Sequence, residues 1–251
     1  MSQIAELMNG NRLTHDAVSE KGWYSRSPGG YVQIFEDFIG DGALPLDSAT
    51  AAGPGFKNHD TSSAGTPTFA FQSVADGVYR MAFAANDEAE YLSTYLGDVV
   101  CIPPTKNPVF EARVKITGTF SADDRVVIGL ASARHNTLDN IADHAWFRME
   151  GANNNILVEG DDDGTTDNDD NDTGKDWTSG TFHTYKIDMS DLSNVKFYVD
   201  GELCTSLPEA IDVSGMAAGD LLQPYIAMQK DAGTVTHSVD IDYISVVWER
   251  S

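Results

Sequence analysis

The segment FHTYKIDMSDLSNVKFYVDG, residues 182–201, decides the fold class. Its first part alternates in polarity, and in VKFYV the residues Val195, Phe197 and Val199 fall on one side, as they do when a strand buries a single face. Asp200-Gly201 then supplies the positive φ values that a two-residue hairpin needs. The segment reads as two strands, a turn and a reversal into a third strand.

The same period of two extends outward in both directions. In FEARVKI, Phe110, Ala112, Val114 and Ile116 alternate with Glu111, Arg113 and Lys115, giving one buried and one wet face. Further strand signals are YVQIFEDF, TFAFQSV, GVYRMAF, RVVIGLA, HAWFRME, NILVEG and HSVDIDYISVVWE, separated by Gly, Asp, Asn and Pro clusters. Within the last, DIDYISVVW is apolar enough on both faces for a central strand. Asp76-Gly77 is expected to close a second two-residue hairpin. The best internal helix candidate is a turn around PEAIDVSGMAAGDLL, shortened by Gly215 and Gly219. Many strands without intervening helices predict an all-β chain of two antiparallel sheets packed face to face, one sandwich over residues 31–251. Residues 1–30, with the turn-rich KGWYSRSPGG, read as an arm in which SQIAELM forms a short helical turn. In one reading the arm is a frayed terminus, in the other it attaches to a partner and buries Ile4, Leu7, Met8 and Trp23.

Composition narrows the function classes. The chain has 251 residues, 41 % of them hydrophobic, which suits a folded domain rather than disorder. With 39 acidic against 16 basic residues the formal charge is −23, so nucleic acid is repelled and is not an expected partner. No basic segment precedes an apolar run at the N-terminus, and no window approaches the roughly 18 apolar residues of a membrane span. The expectation is a soluble protein made in the cytoplasm. Cys101 and Cys204, both beside apolar residues, suit buried thiols better than a disulfide framework.

Taken in order, IFEDFIGDGALPLD, FEARVKI, FHTYKIDMSDLSNVKFYVDG and VDIDYISVVWE resemble segments of the concanavalin A-like jelly roll shared by legume lectins, laminin-G-like modules and family 16 glycoside hydrolases. The resemblance implies that superfamily's sandwich over about residues 34–249. It also implies where a hydrolase would carry its site, a Glu-x-Asp-x-Glu pattern that aims three carboxylates at the concave face. The nearest match, Glu159-Gly160-Asp161-Asp162-Asp163, ends in Asp and runs into an acidic loop, so a non-catalytic member is expected and no catalytic residue is assigned.

A different constellation lies on HAWFRMEG, where Trp146, Arg148 and Glu150 share one strand face and offer an aromatic, a cation and a carboxylate to a sugar. The alternative is a solvated charge ladder beside a half-buried Trp146. Trp177 and Tyr91 are further stacking candidates. The six histidines show no spacing typical of a zinc site or a nucleophile elbow. In EGDDDGTTDNDDNDTG, residues 159–174, Asp161, Asp163, Asp167 and Asp170 resemble the calcium loops of thrombospondin type 3 repeats, so calcium is a candidate ligand. A solvated hairpin tip has the same composition.

The stretches IFEDFIGDGALP and HAWFRMEGANNN also resemble sandwich proteins encoded among bacteriophage structural genes. That implies a virion accessory protein, such as a capsid decoration protein, docked on a capsid or other virion partner as a closed oligomer, with a trimer favoured. The arm and the loops near residues 50–67 would make the contact. A carbohydrate-binding module on a tail or cell-surface protein is the alternative, and a glycosidase or polysaccharide lyase of the same fold is the third reading.

Overall fold

The computed structural model describes residues 30–39, 44–46, 55–75, 77–164, 167–217 and 219–250, with the backbone alone of Leu7–Met8, Asn11–His15, Trp23–Ser25 and Asp167. Numbered in chain order, the strands begin with β1 (Leu7–Met8), β2 (Asn11–His15) and β3 (Trp23–Ser25), which form a small antiparallel sheet of their own. Leu7 pairs with Arg12 and Met8 with Asn11. Leu7 and Met8, the end of SQIAELM, are strand residues, and the rest of that expected helical turn lies outside the described residues. Ile4 lies outside the described residues, as do the side chains of Leu7, Met8 and Trp23.

The back sheet contains β4 (Tyr31–Glu36), β6 (Thr68–Phe71), β7 (Tyr79–Ala82), β9 (Val109–Thr117), β14 (Phe182–Asp188), β15 (Lys196–Val199), β16 (Glu202–Leu203) and β18 (Ser238–Glu249). Its order is β16-β15-β14-β9-β18-β7-β6, with β4 also paired to β18. The segment of residues 182–201 behaves as read: Tyr185, Ile187, Val195, Phe197 and Val199 are buried, and Val199 pairs with Glu202 across Asp200 (φ 53°) and Gly201 (φ 81°). The strand β18 is central, flanked by β9 on one side and by β7 and β4 on the other.

The front sheet contains β5 (Lys57–Asp60), β8 (Glu90–Tyr95), β10 (Arg125–Ala131), β11 (Asp143–Glu150), β12 (Asn155–Asp162), β13 (Asp167–Asp176) and β17 (Gln223–Lys230), in the order β13-β12-β11-β10-β17-β8-β5. The main core lies between the sheets, with Phe110, Ile187 and Ile244 facing Ile128, Phe147 and Met228. Each such side chain contributes about 1.5–3 kcal/mol by leaving water. The fold is a jelly-roll β-sandwich.

Four expectations are corrected. Asp76-Gly77 does not close a two-residue hairpin, since the β6–β7 pair on either side of it is Phe71 with Tyr79; Asp76 lies outside the described residues, and Gly77 packs against the Phe38 carbonyl, where a Cβ would stand 2.8 Å away. No helix forms in the described part of PEAIDVSGMAAGDLL, because Ile211 and Val213 are drawn into the core and Ile211 bridges Val195. Cys101 is exposed while Cys204 is buried, and both are free thiols. The acidic run after Gly164 is not an irregular loop but strand β13. Its inward residues Asn168, Asn171 and Thr173 are uncharged and buried, while Asp169, Asp170 and Asp172 all point outward. Asp170 takes φ 48° at this irregularity, so two acids in a row stay out of the core. Among the described residues no helix is long and apolar enough to cross a membrane.

Candidate functional site

Alternation sends one set of front-sheet side chains into the core and the other to the opposite face. On β11, Ala145, Phe147 and Met149 go inward, and His144, Trp146 and Arg148 line the outer face. The connection between β10 and β11 folds back over that face. Its Leu138 and Ile141 form a second apolar cluster with Trp146, Tyr225, Tyr91 and Tyr95. Gly129 pairs with both Trp146 and Tyr225, and a Cβ there would stand 2.8 Å from the Trp146 Cβ, so only glycine lets these rings approach.

Trp146, Arg148 and Glu150 share a face, as expected, but Trp146 is fully buried and is not an open stacking platform. The His144 ring covers one side of the indole at 3.6 Å, and the indole Nε1–H donates to Glu159 Oε2 at 2.6 Å. Tyr91 is also buried, its hydroxyl bonded to that of Tyr225. Trp177 belongs to the main core, with its ring centroid 5.0 Å from that of Phe120. A large ring is worth more buried than exposed; the β10–β11 connection covers Trp146 and Tyr91, and the main core takes Trp177.

The polar centre is Arg148. Its Nη1 donates to Glu159 Oε1 (3.0 Å) and Asp139 Oδ1 (2.7 Å), its Nε donates to Glu150 Oε2 (2.7 Å), and Asp170 lies 3.9 Å away. Burial disfavours the guanidinium charge, yet Glu159, Asp139 and Glu150 together hold its pKa above the ordinary value. Glu159, almost fully buried, is pushed up to about 8 by burial; Arg148 opposes the shift and Asp170 adds to it. Together with His144, Asp161 and Asp169, these groups line an open pocket of ≈ 210 Å³.

His144 is the residue that spacing alone did not single out. Its Nδ1 lies 3.0 Å from the Ile141 carbonyl, to which it donates, so Nε2 is left as an acceptor. Burial lowers its pKa to about 4, so the ring is neutral at pH 7. The folded state takes up this proton later than the unfolded chain does. The stabilisation is therefore full above pH 6.5 and is lost as pH falls towards 4, to the extent of about 3 kcal/mol. Urea denaturation at pH 7, 5.5 and 4 checks this: His144→Gln is expected to lose less stability than the wild type over that range, and parallel curves would refute it.

The strand β12 places Glu159 and Asp161 on the outer face, whereas Gly160 and Asp162 point inward. A Cβ on Gly160 would stand 2.7 Å from Ile211, and Asp162 accepts the Gly215 N–H at 2.7 Å. Asp161 and Asp170, two of the calcium candidates, thus lie on neighbouring strands rather than around one loop. Asp163 is an exposed turn residue, and the Asp167 side chain is outside the described residues. Among the described residues no group of three or more His, Cys, Asp or Glu side chains is arranged to hold a metal ion.

No protein-family profile matches the chain, and no curated protein does. Solved structures do match in fold. A protein of unknown function from Shewanella oneidensis MR-1 has 14 % identity and a TM-score of 0.59 over 88 % of this chain and 87 % of that one. An endo-acting O-glycanase structure from the human gut microbiota has 10 % identity and a TM-score of 0.55, covering 86 % and 98 %. Alginate lyase A1-II′ of polysaccharide lyase family 7 has 13 % identity and a TM-score of 0.52, covering 72 % and 84 %. At these identities the likeness shows the shared sandwich fold alone.

Proposed function

We propose that this jelly roll is a non-enzymatic carbohydrate-binding protein, and that the Arg148 pocket takes a neutral or amino-bearing sugar. The observation that carries the reading is the buried Arg148–Glu159 pair on the floor of an open pocket, on the sheet face turned away from the main core. Such a pair adds little to stability compared with apolar packing. It does present fixed donors and acceptors beneath the solvent-facing Asp139 and Asp170, which is what sugar hydroxyls require.

The lining also sets the sugar class. Five carboxyl groups stand against one guanidinium and a neutral imidazole, so a polyuronate is repelled and an amine is welcome. The substrate named for the alginate lyase therefore does not transfer with the fold. Glu159, Asp139 and Glu150 are all committed to one guanidinium, whereas a glycosidase needs two carboxyl groups facing each other across about 5–10 Å of open groove.

Affinity electrophoresis in neutral, amino and uronic-acid polysaccharides, with an assay for new reducing ends and unsaturated products, tests the reading. Retardation by a neutral or amino polysaccharide without product is expected. Retention by polyuronate alone, or by none, would overturn it. Product formation would make Glu159, protonated near neutrality, the acid of an enzyme.

A second reading concerns the setting of the module. Strand β4 follows residues 1–29 and leaves Tyr31, Phe35 and the adjoining Ile39 exposed by 48 %, 56 % and 70 %. An apolar strip of this kind suits a protein partner and supports the virion-decoration reading, with the N-terminal side as the attachment point of symmetric copies. Deleting residues 1–30 is expected to leave the sandwich folded and abolish cosedimentation with particles. Normal cosedimentation would count against it.

A further inference from the structure

The outer face of the back sheet carries a second pocket, of ≈ 240 Å³, that differs in charge from the first. One cross-strand row builds it: Phe182 on β14 pairs with Lys115 on β9, Lys115 with Asp240 on β18, and Asp240 with Arg80 on β7. Beside this row, the register shift between Ile241 and Tyr243 leaves Asp242 next to Arg113, with which it forms an ion pair.

Asp240 is the keystone. It is buried, and it accepts two hydrogen bonds from the Arg80 fork, Nε to Oδ1 (2.6 Å) and Nη2 to Oδ2 (2.7 Å), while the Lys115 ammonium lies 2.8 Å from Oδ2. Burial opposes its charge, but Arg80 and Lys115 hold its pKa below the usual carboxylate range. The two cations are thereby fixed in place. The Phe182 ring fixes the third side, 4.3 Å from the Arg113 guanidinium carbon and 4.8 Å from Lys115 Nζ.

Three cations against two carboxylates leave a local charge of +1, in a chain whose formal charge is −23. Arg113 gives one hydrogen bond to Asp242, and its other N–H groups have no acceptor among the described residues. Val74, Ala75 and Val78 supply an apolar lip on the far side.

We propose that this pocket is a binding site for a small organic monoanion, a carboxylate on a compact apolar or ring body. The carboxylate would accept from the unoccupied donors of Arg113 and from Lys115, and the body would rest between Phe182 and the apolar lip. One negative charge balances the site, whereas a phosphate dianion would overfill it.

The test is a titration of the full chain followed by NMR of the arginine Nε–H signals, with benzoate as the probe and benzyl alcohol as its uncharged counterpart. Benzoate is expected to shift the Arg113 and Arg80 signals saturably, and benzyl alcohol to leave them unmoved. Arg113→Gln and Phe182→Leu are each expected to weaken benzoate at least tenfold while the melting temperature stays within a few degrees of wild type. No saturable shift with benzoate, equal binding of benzyl alcohol, or undiminished benzoate affinity in folded Arg113→Gln would each overturn the proposal.

Discussion

Lys230→Met is expected to destabilise the protein by about 3–5 kcal/mol, because it strands a buried carboxylate. Lys230 and Glu90 pair across β17 and β8 with side chains 0 % exposed, and Nζ stands 3.2 Å from Glu90 Oε2. The ammonium also donates to the carbonyls of Ala84, Asn86 and Gly233, so it ties the ends of two strands to the turns beside them. Burial already raises the Glu90 pKa despite the lysine. Without it the carboxyl must be buried uncompensated or protonated. In a chain of this size the loss corresponds to a fall in Tm on the order of 10 °C. The deficit is expected to shrink at lower pH, as Glu90 takes up a proton. Glu90→Leu added to Lys230→Met is expected to recover part of the loss, since an apolar pair replaces a broken ionic one. If the double variant melts no higher than Lys230→Met, the stranded carboxylate is not the cause.

Arg148→Met is expected to have a comparable cost, about 3–5 kcal/mol, and to abolish saccharide retardation as well. The guanidinium holds Glu159, Asp139 and Glu150 together, with Asp170 close by, and its loss leaves Asp139, Glu150 and Asp170 repelling one another beside a buried Glu159 that loses its hydrogen-bond donor. Arg148→Lys keeps the charge but not the fork, so it is expected to restore stability only partly. Glu159→Gln separates the two roles. Its amide oxygen can still accept from Trp146, so the fold survives, while the ionisable carboxyl beneath the pocket is gone. The pH dependence follows with the opposite sign to that of His144. A carboxyl raised to about 8 in the folded state contributes stability that is full below about 4.5 and is lost as pH rises through 8. Glu159→Gln is therefore expected to lack that alkaline loss in thermal melts between pH 5 and 8.5. A wild-type curve that is flat over this range would contradict the raised carboxyl.

The back sheet was legible because its strands alternate. In FEARVKI and FHTYKID one face is core and the other is wet, and the pattern states it directly. The front sheet was less so. The strands β8 and β17 are not marked in the sequence, because both of their faces are buried and EYLSTY and QPYIAMQK have no alternation to show; QPYIAMQK also holds Pro224, a residue that central strands avoid. The strand β13 escaped because a run of Asp and Asn reads as loop; only pairing with β12 and the inward turn of Asn168, Asn171 and Thr173 make it a strand.

The sequence by itself determined the all-β class, the sandwich, the Asp200-Gly201 hairpin and the shared face of Trp146, Arg148 and Glu150, since each follows from the two-residue period or from the φ freedom of a short turn. Tertiary structure alone decided what that face does. Asp139 arrives from the connection between β10 and β11, Glu159 from the neighbouring strand and Asp170 from the strand beyond it. Cross-strand register is a long-range pairing that no local pattern encodes, and burial of Trp146 depends on a cover contributed by residues outside its own strand.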